Sequence, residues 1–422
     1  MIGGSERAPV VVVIGRYPVV TTTFIDREIA ALRCRGIAVD VVALRRPPAD
    51  MPLSTAQRKL GREVDYALPV QWWHLVAAGL FACTRLRACV QTLWYLVTRV
   101  HPDPRSRART LLHFGEGVVV AWRLRRRAPS ELYAHFADRA AVVALVASRL
   151  LDCSYSLAIH AGADLFVHPV LLREKIEQAR VVVTCTEANR TAISARVGAS
   201  LGEKVSYIRH GLPLAEYRPP DARPGADQDA PPLVLAVGQL REKKGFTHLV
   251  DACERLRDRG HRFTCRIIGE GPQRRELEAQ IRAAQLDDCV VVTGALPQDD
   301  VVAWYRRASV FALPCVVTPD GQVDGIPNVV PEAMAMGVPV VSSDLPAIRE
   351  LVTDEVDGLL VAPGDADALA AAVGRLLDEP RFAAALAGAG LRTVHDRFDV
   401  DVNVDRLVER MWPDHFDRRE AG

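Results

Sequence analysis

Short apolar runs alternate with amphipathic segments along the first half of the chain. The run 9–15 predicts a strand, a helix follows that ends at Arg35 before Gly36, and the run 37–44 predicts a second strand. Because these runs are rich in β-branched residues and do not alternate with polar ones, we expect both faces of the strands to be buried. Further strands are expected at 131–135, 155–160, 181–185 and 205–209. Strand, helix and strand in this order predict a parallel α/β sheet.

The same rhythm begins again in the second half after an interruption. Residues 218–232 are rich in proline, aspartate, alanine and glycine and lack periodicity, which is typical of a linker between domains. One later helix is explicit, with Asp367 as its predicted N-cap and Leu369 and Val373 on its apolar face. Strands are expected at 233–238, 264–269, 290–294, 310–313, 338–342 and 358–361. The pattern predicts two α/β domains, 1–217 and 233–400, joined by the linker 218–232.

The composition fits two globular cores and excludes several classes of protein. Apolar residues make up 49% of the 422 residues. No stretch reaches the roughly 18 consecutive apolar residues of a transmembrane helix. The 53 basic residues nearly balance the 52 acidic ones, which argues against a nucleic-acid partner. The nine cysteines are scattered, with no C-x-x-C pair and no zinc-binding spacing, so we expect no metal site and a reduced, cytoplasmic protein.

An apolar helical segment and a basic segment follow each other in the first half. Residues 72–100 are predicted to be helical and are unusually apolar, with Trp72, Trp73 and Trp94. The stretch 99–127 then holds eight arginines against two acidic residues. Two interpretations stay open: a solvated basic face, or a surface that holds the first domain on an anionic membrane, as a peripheral protein, where a lipid-linked acceptor would lie.

A loop with three cations follows the first strand of the second half. Doubly wound sheets bind ligands beyond the carboxyl ends of their strands, and the sequence VGQLREKKG at 237–245 lies at such an end. It contains Gln239, Arg241 and Lys244 and precedes a helix near Phe246. Cations beside a helix N-terminus suit a diphosphate, whereas a merely solvated charged loop is the alternative.

The next strand ends in the turn IGEGP at 268–272. A glycine such as Gly269 at a strand end permits a tight turn and the close approach of a ligand to the backbone. The turn is not a dinucleotide fingerprint, because Arg274 stands where the third glycine would be. An NAD-dependent oxidoreductase is therefore disfavoured.

The third segment is DGIPNVVPEAMAMG at 324–337. Pro331 suits the first position of a helix, and Gly337 suits its end. Glu332 then lies in the first turn, where the helix dipole favours an anion and where a carboxylate can accept two hydrogen bonds from a diol such as ribose. The alternative is that Glu332 is only an acid that favours the first turn of a helix. This alternative explains Glu332, but it does not explain Asp324 eight positions earlier or the turn between them.

These three segments, in this order and spacing, resemble the donor domain of the family-4 retaining glycosyltransferases. That family has the GT-B fold, in which two Rossmann-like parallel-sheet domains face each other across a cleft. The form DGIPN-x-x-x-EAMA is most similar to enzymes that build exopolysaccharides such as colanic acid. In the first half, RYP, TFI and REI at 16–29 and HFA at 135–137 resemble the same subgroup.

The resemblance implies a hexosyltransferase. Such an enzyme moves a sugar, with retention of configuration, from a nucleotide-diphosphate sugar to a hydroxyl of a glycan, lipid-linked or natural-product acceptor. No cofactor and no metal are implied, because protein cations would stabilise the leaving diphosphate. It also implies that a last helix, 401–418, packs back on the first domain.

The same resemblance assigns roles to individual positions. Lys244 is expected at the diphosphate and Glu332 at the ribose hydroxyls. Asp324, with the backbone of its two following residues, is expected at the transferred sugar, and His160 across the cleft near the sugar and the acceptor. The expected donor-binding residues are Gln239, Arg241, Lys244, Gly269, Gly325, Ile326, Asn328 and Glu332, and those on the acceptor side are Gly15, Thr22 and Thr23. His160 and Asp324 are the candidate catalytic residues.

The sequence departs from the family pattern at several of these places. Gln239 stands where the family has an arginine at the diphosphate, and Arg241 is the candidate substitute. Asp164 lies one residue beyond the usual spacing from His160, and the pair at 346–347 replaces two glycines. Two alternatives to a transferase stay open: a sugar-nucleotide epimerase of the same fold, and an inactive subunit that only binds the donor.

Overall fold

The computed structural model describes residues 8–160, 165, 170–220 and 230–414. These residues form two compact units. Unit 1 takes the described residues of 8–51, 55–208 and 404–414, and unit 2 takes 52–54 and those of 209–403. Residues 221–229 of the predicted linker lie outside the described residues, so the linker stays a prediction.

Unit 1 is built on a parallel sheet whose central strand is the first one. Its order is β3-β2-β1-β4-β5-β6-β7, seven strands among the described residues. Val11, Val12 and Val13 of β1 are fully buried, because helices cover both faces of a parallel sheet. The strands are β1 Val10–Arg16, β2 Val39–Arg45, β3 Asp65–Tyr66, β4 Glu131–His135, β5 Ser154–Ile159, β6 Val182–Thr184 and β7 Val205–Tyr207.

The helices of unit 1 pack around this sheet. Gly117 allows α5 to lie directly on α6, since a Cβ at this position would come within 2.6 Å of Val146 Cβ. Asp138 begins α6 by accepting a hydrogen bond from Ala140 N at 2.8 Å. The described helices of unit 1 are α1 Thr23–Cys34, α2 Thr55–Glu63, α3 Trp72–Thr84, α4 Leu86–Val97, α5 Pro104–Leu124, α6 Arg139–Leu151, α7 Leu172–Gln178, α8 Glu187–Val197 and α9 Ala199–Gly202.

Unit 2 repeats the architecture with six parallel strands among its described residues. The order is β10-β9-β8-β11-β12-β13. The strands are β8 Leu233–Val237, β9 Thr264–Ile268, β10 Val290–Gly294, β11 Val310–Leu313, β12 Val340–Ser343 and β13 Leu359–Val361. The helices are α10 Phe246–Asp258, α11 Arg274–Ala283, α12 Gln298–Arg307, α13 Val329–Ala335, α14 Pro346–Arg349, α15 Ala366–Asp378 and α16 Pro380–Arg397. The last helix, α17 Val400–Met411, begins in unit 2 and belongs to unit 1 from residue 404.

The end of the described chain belongs to unit 1 from residue 404 onward. Asp405 accepts from Arg35 Nε at 2.6 Å, and the carbonyl oxygen of Met411 accepts from Arg180 Nη2 at 2.7 Å. Glu131 accepts from the indole nitrogen of Trp412 at 2.7 Å. These polar contacts fasten the C-terminal helix to the sheet of unit 1.

The prediction of two parallel α/β units is confirmed. One cap prediction is wrong: Asp365, not Asp367, accepts the hydrogen bond from Ala368 N at 2.8 Å and so begins α15. Asp367 instead pairs with Arg255 at 2.7 Å. Among the described helices, none combines the length and the apolar content that crossing a bilayer requires.

Candidate active site

The loop after β8 is fixed by a close backbone contact with the neighbouring strand. A 3₁₀ turn, Glu242–Lys244, leads into Gly245, whose φ is +67°. A Cβ at Gly245 would lie 1.8 Å from the carbonyl oxygen of Pro314, immediately after β11. Val316 N donates to the carbonyl oxygen of Lys243 at 3.0 Å. Only glycine fits there, and the loop is thereby held at the carboxyl end of the sheet.

Two lysines of this loop share one carboxylate. Lys244 Nζ lies 2.7 Å from Asp324 Oδ2, and Lys243 Nζ lies 2.7 Å from Asp324 Oδ1. All three side chains are less than 20% exposed, so water screens the pairs weakly. The cluster of three side chains carries one net positive charge where the lysine loop meets the Asp324 segment.

The cluster stays ionised despite its burial. Burial alone would raise the pKa of Asp324, but Lys244 and Lys243 outweigh it and hold this pKa below its ordinary value. Burial likewise opposes the charge of Lys244, yet the Asp324 carboxylate leaves the pKa of this lysine raised. The neighbouring Cys315 thiol stays neutral, because burial raises its pKa to about 12.

The turn after β9 rests on the loop after β8. A Cβ at Gly269 would lie 1.8 Å from the carbonyl oxygen of Gly238, and one at Gly271 would lie 2.5 Å from that of Leu240. Leu240 N donates to the carbonyl oxygen of Glu270 at 3.0 Å. Both glycines therefore serve the contact between the two loops, a role that the sequence did not indicate for Gly269.

Glu332 is buried and held from a neighbouring helix. Its side chain is 1% exposed. Its Oε2 accepts from Gln298 Nε2 at 3.1 Å and from Tyr305 OH at 3.2 Å, both on α12. Gln298 Nε2 also donates to Tyr217 OH at 2.9 Å. The carboxylate thus has a fixed position in the first turn of α13.

The start of α13 differs from the prediction. The helix begins at Val329 after Asn328, so Pro331 is its third residue rather than its first. Glu332 remains in the first turn, and Gly337 ends the segment with a φ of +63°. The prediction was wrong because a proline is accepted anywhere in a first turn, where its missing N–H has no partner within the helix.

The remaining donor-side candidates lie on the same segments of unit 2. Gln239 and Arg241 expose their side chains on the loop after β8. Gly325, Ile326 and Asn328 are half-buried between Asp324 and α13. Lys243, Gln298 and Tyr305 are polar partners that the sequence interpretation missed. Lys243 could have been found as the other half of a lysine doublet, but nothing near Gln298 or Tyr305 signalled their contact with Glu332.

The acceptor-side candidates lie at the carboxyl end of β1 in unit 1. A Cβ at Gly15 would meet Asp138 Oδ2 at 3.1 Å. Thr22 is buried, and its hydroxyl donates to the carbonyl oxygen of Val19 at 2.9 Å. Thr23, also buried, is the first residue of α1. Asp164 lies outside the described residues.

His160 follows β5 and belongs to a chain of polar side chains centred on the buried His135. His135 Nδ1 lies 3.0 Å from His160 Nε2, and the two rings are stacked. On its other side His135 Nε2 lies 3.3 Å from Glu28 Oε1, within ion-pair distance but outside hydrogen-bond alignment. Phe24 and Phe136 contact the ring of His160 with centroids 4.8 and 4.9 Å away.

The negative end of this chain is Glu28. The pKa of the Tyr133 hydroxyl lies well above its ordinary value, because the group is buried and the Glu28 carboxylate is close. A carboxylate beside His135 Nε2 favours the tautomer with the proton on that nitrogen. With this tautomer, we expect His135 Nδ1 to accept a hydrogen bond from His160 Nε2–H.

The two parallel α/β units have the GT-B fold. The crystal structure of Anabaena Alr3699/HepE in complex with UDP matches with a TM-score of 0.68. It shares 18% identity with this chain and covers 95% of it, as well as 98% of its own chain. The two proteins thus share their architecture.

The chain belongs to the glycosyl transferases group 1, whose family model matches residues 231–379. A 2-deoxystreptamine glucosyltransferase from Streptomyces kanamyceticus is 30% identical over 336 residues, 72% of this chain and 85% of that protein. The amylovoran biosynthesis glycosyltransferase AmsK from Erwinia amylovora is 36% identical over 207 residues, about half of each chain. The resemblance to exopolysaccharide enzymes is confirmed, and the protein is a glycosyltransferase acting on nucleotide sugars.

Proposed function

We propose that this glycosyltransferase moves a hexosyl unit, with retention of configuration and without a metal ion, from a nucleotide-diphosphate sugar to a hydroxyl. The acceptor is a glycan, a lipid-linked glycan or a natural product. The observation that carries the proposal is the cluster of Lys243, Lys244 and Asp324 at the carboxyl end of the unit 2 sheet. By their names, the two relatives above are a 2-deoxystreptamine glucosyltransferase and an amylovoran biosynthesis glycosyltransferase, which supports this range of acceptors.

The lysines would stabilise the departing diphosphate. When the bond between the anomeric carbon and the β-phosphate oxygen breaks, its electron pair stays on that oxygen. Two preorganised ammonium groups in a weakly screened site neutralise this charge at little reorganisation cost. The acceptor oxygen forms the new bond on the same face, and its proton passes to the departing phosphate.

Lys243 offers the cation that Gln239 lacks. Lys243 Nζ already points at Asp324 together with Lys244 Nζ, whereas Arg241 is exposed on the loop. We therefore assign the second diphosphate contact to Lys243 in preference to Arg241. Asp324, released from one lysine by the incoming phosphate, would accept a hydroxyl hydrogen bond from the transferred sugar.

Glu332 would bind the ribose. A carboxylate has acceptor capacity for two adjacent hydroxyls in addition to the bonds from Tyr305 and Gln298. Its attachment to α12 keeps it in place before the donor arrives, which lowers the cost of binding.

The test is product analysis with purified enzyme and a panel of UDP-, GDP- and dTDP-hexoses. We expect one donor to give an α-linked product from an α-linked donor by NMR, with the rate unchanged by EDTA. An inverted product, or a rate abolished by EDTA and restored by Mg²⁺, would disprove the mechanism. A sugar isomer formed without acceptor would show the epimerase instead, and donor binding without turnover on any acceptor would show the inactive subunit.

A further inference from the structure

The apolar surface of unit 1 is concentrated on three consecutive helices. Of the fifteen large hydrophobic side chains that are exposed among the described residues, eleven lie between residues 72 and 112. The most exposed are Trp72 at 76%, Trp94 at 71% and Val100 at 87%. Such clustering marks an interaction surface, whereas single exposed apolar residues need no explanation.

Helix α3 is apolar on every side and yet scarcely buried. Its sequence, WWHLVAAGLFACT, contains no charged residue, and only Ala78 among its thirteen residues is buried. Apolar helices of globular proteins are normally enclosed by the core. At about 1.5 Å per residue α3 is roughly 20 Å long, too short for the roughly 30 Å hydrocarbon core of a bilayer.

Helices α4 and α5 also expose apolar side chains. On α4, Leu86, Val90 and Trp94 form an exposed stripe at positions i, i+4 and i+8, while Cys89, Thr92 and Leu96 are buried. On α5 the polar Ser106 and Thr110 are buried, whereas Leu111 and Leu112 are exposed. Helices α3 and α4 pack on each other and on α5.

The charges on the same stretch have one sign. Residues 66–115 hold six arginines and no lysine, and Asp103 is their only acidic residue. The six arginines are exposed: Arg85, Arg87, Arg99, Arg105, Arg107 and Arg109. Asp103 is occupied as the N-cap of α5, where it accepts from Ser106 N at 2.8 Å. We call the exposed side chains of 72–112 the tryptophan–arginine surface.

We propose that the tryptophan–arginine surface docks unit 1 on an anionic lipid bilayer, with α3 lying in the interface and the arginines at the lipid headgroups. Tryptophan and arginine on short apolar helices are the side chains that the interface between lipid and water favours. Each arginine near an anionic lipid surface strengthens the binding by a similar factor. A second copy of this chain is disfavoured as the occupant, because a symmetric contact would bring twelve arginines of like charge together.

The proposal is tested by co-sedimentation of the full chain with phosphatidylcholine vesicles that contain or lack about a third of phosphatidylglycerol. We expect binding to the anionic vesicles alone, which rises as salt is lowered. Vesicles with brominated acyl chains should quench the tryptophan fluorescence of the bound protein. No binding to the anionic vesicles would overturn the proposal.

Two variants with matched controls locate the surface. The double variant Trp72→Ser with Trp94→Ser should bind the anionic vesicles about tenfold or more weakly. The reason is that binding no longer removes two aromatic side chains from water. Val291→Ser with Val356→Ser, exposed positions of unit 2, should bind as wild type. Arg85→Gln with Arg87→Gln should also weaken binding on the order of tenfold, while Arg381→Gln with Arg392→Gln on α16 should not. Equal loss in the control variants would overturn the assignment.

The same variants also test whether a second copy of the chain covers the tryptophan–arginine surface. Light scattering that finds a wild-type dimer, and a monomer for Trp72→Ser with Trp94→Ser, would show that a second copy covers the surface and would overturn the lipid proposal. Because Trp72, Trp94, Arg85 and Arg87 are exposed, we expect unchanged melting temperatures for the two surface variants. Vesicle binding is measured without donor, so its failure is distinguishable from a failure of the proposed transfer reaction.

Discussion

Lys244 Nζ lies 2.7 Å from Asp324 Oδ2, and the two side chains are only 12% and 13% exposed. The loop that carries Lys244 and the segment that carries Asp324 are about 80 residues apart in the chain, so this ion pair joins two of the three predicted donor-site segments. Asp324 is also bound by Lys243, which makes the carboxylate the centre of the cluster.

Replacing Lys244 should weaken donor binding. Loss of one charged hydrogen bond costs roughly 1.5–3 kcal/mol, so we expect Lys244→Ala to raise the donor Kd about tenfold or more. Lys243→Ala should do the same under the proposed assignment, whereas Arg241→Ala should have less effect. Isothermal titration with the nucleoside diphosphate measures all three, and a larger effect for Arg241→Ala than for Lys243→Ala would reverse the assignment.

Asp324 should make the stability of unit 2 depend on acid pH. Its folded pKa is lowered, so its contribution is present above the unfolded value of about 3.9 and is lost as the pH falls through the folded pKa. Asp324→Asn should lower the urea midpoint of unfolding at pH 7. Below about pH 4, the midpoint of this variant should fall less steeply with decreasing pH than that of the wild type. Asp287→Asn, an exposed aspartate, is the control. Identical curves for wild type and Asp324→Asn would show that the ion pairs do not stabilise the unit.

Removing the Glu332 carboxylate should reduce donor turnover. We expect Glu332→Ala to lower kcat/KM on the order of tenfold or more, through lost ribose hydrogen bonds. Tyr305→Phe keeps the carboxylate but removes one of its donors, so it should have a smaller effect in the same direction. Both enzymes are assayed with a ribose and with a 2′-deoxyribose nucleotide sugar. The ratio of kcat/KM between wild type and Glu332→Ala should be smaller with the deoxy donor, which lacks the 2′-hydroxyl. An equal ratio with both donors would contradict contact between Glu332 and the 2′-hydroxyl.

Glu28 should act on His160 through His135. Glu28→Gln removes the charge that favours a proton on His135 Nε2, so the tautomers of His135 and His160 should change together. Nitrogen-15 chemical shifts of the imidazole rings measure this directly. We expect kcat to fall while the donor Kd stays constant, and Glu63→Gln, an exposed acid paired with Arg33, should change neither. Unchanged imidazole shifts in Glu28→Gln would refute the chain.

Gly245 should tolerate no side chain. Gly245→Ala combines a positive φ with a contact of 1.8 Å to the Pro314 carbonyl. Gly260 also has a positive φ, +86°, but open space around it. Gly260→Ala should therefore cost only the roughly 1–2 kcal/mol of a left-handed residue, and Gly245→Ala clearly more. Thermal unfolding compares the two, and equal melting temperatures would mean that the loop moves away from Pro314.

The architecture was predictable because its signal is local. The strands 131–135, 290–294 and 310–313 agree with the structure at both ends, since each is a compact apolar run bounded by polar or turn residues. The two-residue strand β3 at Asp65–Tyr66 was missed, because a strand this short has no periodicity. Helix starts were less accurate, as Asp365 and Asp367 are both acceptable caps and only the backbone decides between them.

The site was predictable only where its residues lie close in sequence. The segment with Asp324 and Glu332 carries a recognisable spacing, and so does the lysine loop. The partners of Glu332 lie 27 and 34 residues upstream on α12, where Tyr305 and Gln298 have no distinguishing pattern. The contact of His135 with Glu28 is likewise not visible in the sequence. It arises because the sheet places β4, which ends at His135, beside β1, which leads into the helix of Glu28.

The glycine contacts between the loops after β8 and β9 limit how donor preference can be engineered. With Gly269 and Gly271 against the main chain of Gly238 and Leu240, no side chain separates the two loops at these contacts. We therefore expect that grafting one loop alone from a relative would disturb the other loop. If the proposed donor site is correct, exchange of both loops together, or variation confined to 316–328, is the expected route to altered sugar selectivity.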